Sequence, residues 1–221
     1  MRHTRHGWWL EEAGPVTPTR PLDGDSQADV VVVGGGYLGL WTAWHLLELE
    51  PSLDVLVLEA ALCGHGPSGR NGGFCETLWG DVDTLRERSG DLAALAVCRA
   101  SEDAVHGIGA WCKENEVDAW YRQAPMLQVA TTDSQVGSWA AEVGVAAALG
   151  APDEVVSVGA EEVRARCASP LFLGGALYRL NATVHPARLA LGLRRRLLER
   201  GVRMHERSEV TRLASDGSVE T

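Results

Sequence analysis

A chain of 221 residues that is 45 % hydrophobic has room for one large domain or a domain and a half, with a sizeable core. Its formal net charge is −10, and so acidic a body excludes nucleic acid as the main partner. No low-complexity tract argues for disorder, and no segment reaches the ~18 apolar residues that would span a bilayer.

The charge is unevenly spread. Residues 186–221 carry eight Arg and five acids, net +3, which leaves −13 on residues 1–185. Those arginines sit on an amphipathic pattern and read as a solvated helix face. The five cysteines (Cys63, Cys75, Cys98, Cys112 and Cys167) are odd in number and include no C-x-x-C pair. That usage reads as reduced thiols in a cytoplasmic protein. The N-terminus is basic (Arg2, His3, Arg5, His6), but Glu11 and Glu12 cut its apolar run short, which argues against a signal peptide. Asn181-Ala182-Thr183 matches a glycosylation acceptor that would be idle in a cytosolic chain.

Residues 1–27 read as an irregular N-terminal arm spaced by Pro15, Pro18 and Pro21. Trp8, Trp9 and Leu10 form an apolar cluster there, which either pins the arm to the domain or binds a partner. The stretch Asp29 to Gly39, DVVVVGGGYLG, follows. Val30 to Val33 are the apolar, β-branched run of a strand buried on both faces. Gly34, Gly36 and Gly39 then fall in the spacing G-x-G-x-x-G, and Leu40, Ala43, Trp44 and Leu47 recur as on a helix. Strand, tight turn and helix in this order make a dinucleotide turn. The first glycine permits the turn, the second admits a pyrophosphate, and the third lets the helix pack on the strand. The free N–H groups and dipole of the helix N-terminus hold the anion. Pro51-Ser52 ends that helix.

A second apolar strand, Asp54 to Leu58, ends in Glu59, twenty positions beyond Gly39. In a βαβ unit, an acid there accepts hydrogen bonds from the adenosine ribose hydroxyls, and it disfavours a 2′-phosphate and hence NADP. Cys63 to Phe74 then reads CGHGPSGRNGGF, with five glycines in twelve residues. Such a loop forms neither an α-helix nor an ordinary strand and suits backbone packed against a flat or anionic ligand. Ser68, Arg70 and Asn71 set a hydroxyl, a cation and an amide at its centre.

The combination VVVGGGYLGLWTAWHL, VLVLEA and GPSGRNGGF resembles the FAD-dependent amino-acid/amine oxidases, the group of D-amino-acid, glycine and sarcosine oxidases. It is most similar to the gamma-glutamylputrescine oxidase-like branch, which the WWLEEAG lead-in also resembles. The resemblance implies an α/β fold: a Rossmann-like FAD-binding domain, a parallel sheet with helices, plus part of an α+β substrate domain. It divides the chain into the arm (1–27), the FAD-binding βαβ and flavin loop (28–80), a partial substrate domain (81–184) and a helix-strand return (185–221). It implies that Gly34, Gly36, Tyr37, Leu38 and Gly39 bind pyrophosphate and Glu59 binds ribose. Ser68, Arg70, Asn71, Gly72 and Gly73 would line the isoalloxazine, and the backbone of Val210 would meet the adenine. The resemblance also implies Arg70 as the candidate catalytic group, stabilising negative charge on the reduced ring. A small amine or amino acid would pass a hydride from its α-carbon to flavin N5, giving an imine that water hydrolyses. Family members run to roughly twice this length, so a truncated member is expected.

Beyond the loop, residues 81–118 carry two helical patterns separated by Ser89-Gly90. Trp120 to Ala130 reads as a strand pair around Pro125, Ser134 to Leu149 as a helix, Gly159 to Cys167 as a short helix, and Gly175 to Tyr178 as a strand. His185-Pro186 opens a helix with Leu189, Leu193 and Leu197 on one face, and Gly201 ends it. Val202 to His205 and Glu209 to Leu213 alternate as half-exposed strands, and Asp216-Gly217 signals a hairpin. His45 and His185 read as helix-face and capping residues; His65 lies in the flavin loop. No His, Cys and acid spacing makes a metal site. Two rivals stay open: an NAD-dependent dehydrogenase using the same turn, and a non-catalytic FAD-binding fragment.

Overall fold

The computed structural model describes residues 7–221; the basic cluster Arg2, His3, Arg5 and His6 lies outside them. The chain folds into two compact units. One comprises the chain up to Gly73 with residues 112–120 and 185–221; the other comprises residues 74–111 and 121–184.

The first unit is an α/β layer. Strands β1 (Val30–Val33), β2 (Val55–Glu59) and β9 (Arg203–Glu206) form a parallel sheet in the order β1-β2-β9. The crossover from β1 to β2 is helix α2 (Tyr37–Leu49), which buries Leu40, Ala43, Trp44 and Leu47. Helix α6 (Pro186–Glu199) leads into β9 and buries Leu189, Leu193 and Leu197, each at 2 % exposure or less. Full burial of one such leucine stabilises by roughly 1.5–3 kcal/mol, so this stripe holds the helix to the layer. Gly201 follows α6 with φ 87°, a left-handed turn that suits glycine. Arg200 stacks over the Trp44 ring at 4.3 Å and ties α6 to α2.

The four-valine strand differs from expectation. Only Val32 of β1 is buried and Val33 is 47 % exposed, whereas β2 is buried along Val55 to Leu58. Within the described sheet β1 is an edge and β2 is central, and position in the sheet, more than composition, sets burial.

The N-terminal arm is not wholly irregular: Trp8–Ala13 forms a short helix, α1, with Leu10 buried. Trp8 and Trp9 lie against the His185 ring at centroid distances of 5.9 and 4.8 Å, and Trp120 closes on it at 4.8 Å. His185 is the N-cap of α6, its Nδ1 accepting the Arg188 N–H. Its Nε2 approaches Glu12 Oε2 to 2.7 Å without hydrogen-bond alignment. Burial lowers the His185 pKa, against the pull of the Glu12 carboxylate. Arg188 bridges Glu12 and Asp118. Farther along the arm, Thr19 bonds Glu206 and Leu22 N–H donates to Ser208 Oγ.

The second unit holds two antiparallel sheets. Strands β3 (Phe74–Glu76), β8 (Asn181–Thr183) and β4 (Arg122–Gln123) form one in the order β3-β8-β4. Strands β5 (Met126–Ala130), β7 (Gly174–Tyr178) and β6 (Val155–Gly159) form the other in the order β5-β7-β6. The segments on either side of Pro125 are therefore not a pair: β4 joins β8 and β5 joins β7. Helix α3 spans Val82–Glu114 with a break at Gly90 (φ 79°), at the expected position. Helix α4 starts at Ala140, later than Ser134, because Thr132 and Gln135 close a capping box around a 3₁₀ turn and Gly137 sits at φ 80°. Helix α5 is Ala160–Arg166. Trp79, Val82, Cys98, Trp139, Val155 and Tyr178 share this unit's core. Burial and the acids around it push the Tyr178 hydroxyl up to about 12. Asn181 of the glycosylation motif is buried and accepts the Thr77 N–H.

After β9, Arg207 enters the left-handed region at φ 58° and stops the strand. Only Arg212–Leu213 (β10) of the expected Glu209–Leu213 strand forms, paired with β11 (Val219–Glu220) across the Asp216-Gly217 turn. Strands β3, β6 and β8 were not foreseen; two have three residues, too few for a period to declare itself.

Candidate functional site

β1 stops at Val33, and Gly34 turns the chain at φ 99° while its N–H donates to Leu58 O over 2.8 Å. That φ suits glycine. Gly39, in the first turn of α2, packs onto the same corner: a Cβ there would stand 2.0 Å from Gly34 O. Gly36 is different. Its backbone is extended (φ −83°), and an added Cβ would meet only Ser68 Oγ, at 3.0 Å. The chain's own geometry demands Gly34 and Gly39; the bare Gly36 is left for whatever approaches the turn.

Helix α2 begins behind Gly36 with no side-chain cap and no acid in its first turn. Its positive end is therefore available to an anion. The Tyr37 N–H donates to Ser68 Oγ over 2.9 Å, while the Tyr37 hydroxyl donates to Pro186 O over 2.8 Å. Leu38 is 85 % exposed at the helix mouth.

Glu59 ends β2 beside this turn. Its Oε2 accepts the Gly35 N–H at 2.7 Å and its Oε1 the Ala61 N–H at 2.8 Å. A carboxylate oxygen has two lone pairs, so each still has capacity for a hydroxyl donor. That spare capacity is what a ribose diol would use.

The glycine-rich loop returns to the turn and braces itself. Pro67–Gly69 is a 3₁₀ turn that presents Ser68 to α2. Arg70 Nε donates to Gly66 O, and Asn71 Nδ2 donates to Ser68 O at 2.9 Å. Asn71 Oδ1 accepts the Gly73 N–H at 2.8 Å, holding Gly73 at φ 76°. Gly69 packs on Gly64 O, which a Cβ would approach to 2.1 Å. Arg70, Asn71 and Gly72 remain exposed. Turn, Glu59 and loop are thus joined by the Gly35–Glu59 and Tyr37–Ser68 bonds, and the helix N–H groups with the Ser68 hydroxyl beside them suit a dinucleotide's phosphates. Val210 is not in a strand; it lies half-buried in the connector between β9 and β10. His45 is exposed on α2, stacked on Trp41 at 5.7 Å.

Sequence reasoning missed Glu206, which is fully buried beside Glu59 in the β2–β9 register. Its Oε1 accepts the Cys63 N–H at 2.9 Å and Arg194 Nε at 2.8 Å; its Oε2 accepts Arg194 and the Thr19 N–H, both at 2.7 Å. Burial by itself would raise this carboxyl, but the Arg194 guanidinium and the two amides outweigh it and hold the pKa at about 2. A signal existed: Met204 and Glu206 are the inward residues of β9 and continue the alternation begun by the buried Val202 just before it. An inward acid demands a buried cation.

Residues 29–221 match the family described as FAD dependent oxidoreductase. The chain is 30 % identical over 220 residues to gamma-glutamylputrescine oxidoreductase of Escherichia coli (strain K12), covering 96 % of this chain and 49 % of that protein. It is 26 % identical to the probable oxidoreductase OrdL of Rhizobium meliloti (strain 1021), again over 96 % and 49 %. The chain spans about half the length of the curated relatives it matches. Among solved structures, glycine oxidase of Geobacillus kaustophilus superimposes with a TM-score of 0.70 at 19 % identity, over 86 % of this chain and 49 % of that one. L-Amino acid deaminase of Proteus myxofaciens superimposes at 0.68 and 18 %, over 92 % and 44 %. Both share the fold.

Proposed function

The chain belongs to the FAD dependent oxidoreductase family, whose cofactor is FAD, and from that premise we propose that it forms the nucleotide-binding side of an enzyme that oxidises a small amine or amino acid. The observation that carries this reading is the bond from Tyr37 N–H to Ser68 Oγ, which seats the glycine-rich loop on the mouth of the dinucleotide turn. Similarity to gamma-glutamylputrescine oxidoreductase favours an amine as substrate. The five free thiols favour the cytoplasm. Among the described residues no helix is long and apolar enough to cross a membrane.

When bound, FAD would supply the redox chemistry, hydride acceptance at N5 from the substrate α-carbon. Gly34, Gly36 and Gly39 would border the pyrophosphate with the Leu38 amide donating to it, while the Tyr37 amide, which bonds Ser68 Oγ, seats the loop beside it. Glu59 orients the ribose through its free lone pairs, and the Val210 backbone borders the adenine. Ser68, Asn71, Gly72 and Gly73 present the loop backbone to the ring, and Arg70 offers positive charge where the reduced ring gains negative charge.

The chain spans 49 % of gamma-glutamylputrescine oxidoreductase, and a second reading has this stretch, taken by itself, bind FAD without turning over substrate. Purified protein should be yellow and release FAD on denaturation. Anaerobic addition of amines and amino acids should bleach the flavin. Flavin that stays oxidised with every compound selects the second reading, and colourless protein that binds only NADH refutes both.

A further inference from the structure

The buried acid at the end of β9 acts on the turn through one intermediary. Glu206 Oε1 holds the Cys63 N–H, and the Cys63 side chain lies so close to Gly35 that a Cβ there would stand 2.2 Å from Cys63 Sγ. The next residue closes the loop, its Gly64 N–H donating to Gly35 O over 2.8 Å. Two further bonds lock the same segment to the residues just after β9, Arg207 N–H to Ala61 O at 3.0 Å and Ser208 N–H to Glu59 O at 2.9 Å. Cys63 Sγ also touches Met204 Sδ at 3.3 Å. The Cys63 thiol is fully buried; burial first, then the Glu206 and Glu59 carboxylates, pushes its pKa well above the ordinary range. It is packing, with no nucleophilic character.

We propose that Glu206, held by Arg194, is a positioning residue for nucleotide binding: through the Cys63 amide it presses Cys63 against Gly35 and fixes the turn that receives the pyrophosphate. This rests on the nucleotide reading of Gly34–Gly39. Arg194 pairs with Glu206 and so offsets the charge of this second carboxylate beside Glu59. The same carboxylate bonds Thr19, so the N-terminal arm and the turn share one anchor.

The probe is ADP, titrated calorimetrically into the unaltered chain and into Glu206→Gln, Thr19→Val and the charge-free double variant Arg194→Met/Glu206→Met. Glu206→Gln and the double variant should bind ADP at least tenfold more weakly at temperatures where near-ultraviolet dichroism shows them folded. Thr19→Val keeps the Thr19 N–H bond to the carboxylate and removes only the Oγ1 that touches Oε2 and accepts the Glu206 N–H, so its ADP affinity should stay within twofold. Folded Glu206 variants that bind ADP as the unaltered chain does overturn the proposal. Amide hydrogen exchange on the unaltered chain needs no variant: the Cys63 and Gly35 amides should open as one unit, and a Cys63 amide that exchanges freely while Gly35 stays protected also overturns it. An unaltered chain that ignores ADP while Cys63 and Gly35 still open together removes the nucleotide reading and leaves the clamp standing.

Discussion

Two glycine-rich segments meet at this site, and they are built on opposite principles. The turn Gly34–Gly39 is fixed from outside, wedged between β1, α2, Glu59 and Cys63, with Gly39 against Gly34 O. The loop Gly64–Gly73 is fixed largely from within, by Arg70 and Asn71 bonding its own carbonyls and amides. The first arrangement gives an anion a rigid seat. The second leaves Arg70, Asn71 and Gly72 exposed at the surface of the loop. Ser68 is where they join.

Breaking the turn should have the largest effect. In Gly39→Ala the new methyl would sit 2.0 Å from a backbone oxygen, so overpacking should cost about 3 kcal/mol or more and lower the melting temperature sharply. Acid should also separate the segments. Glu206 has a folded pKa near 2 against an ordinary 4.5. A depressed carboxylate stabilises above its unfolded value and loses that contribution as pH falls toward the folded value, here about 3 kcal/mol between pH 4.5 and 2. Thermal melts across that range should show the loss, and Arg194→Met/Glu206→Met should flatten it. Glu59→Ala leaves the Gly35 and Ala61 amides without their acceptor, at about 1–3 kcal/mol. Its FAD affinity should fall by about tenfold or more, read by fluorescence titration. Asn71→Ala should do least, costing about 1 kcal/mol; limited proteolysis should cut the loop faster while flavin is retained.

Much of this was legible in the sequence, for identifiable reasons. The glycine spacing, the β-branched run and the apolar face of α2 are local patterns with fixed periods, so β1, the turn, α2 and β2 stand where expected. Glu59 could be found by distance along the chain. The Pro125 strands escaped because pairing is decided by partners far away, β8 and β7, that no local pattern names. Helix α4 starts late because the Thr132–Gln135 box competes for the first turn. Glu206 was hidden by its chemistry: an acid in a short strand looks like a surface residue until Arg194, twelve positions earlier, is seen beside it.

Gly36 gives the most direct test, because its backbone is extended, an added Cβ would meet only Ser68 Oγ, and it stands where the pyrophosphate is proposed to approach. Equilibrium titration of FAD into Gly36→Val, with the unaltered chain alongside, should show an unchanged fold by circular dichroism and a loss of flavin binding of at least about a hundredfold. A folded Gly36→Val protein that keeps its yellow colour would contradict the assignment of this turn to the FAD pyrophosphate.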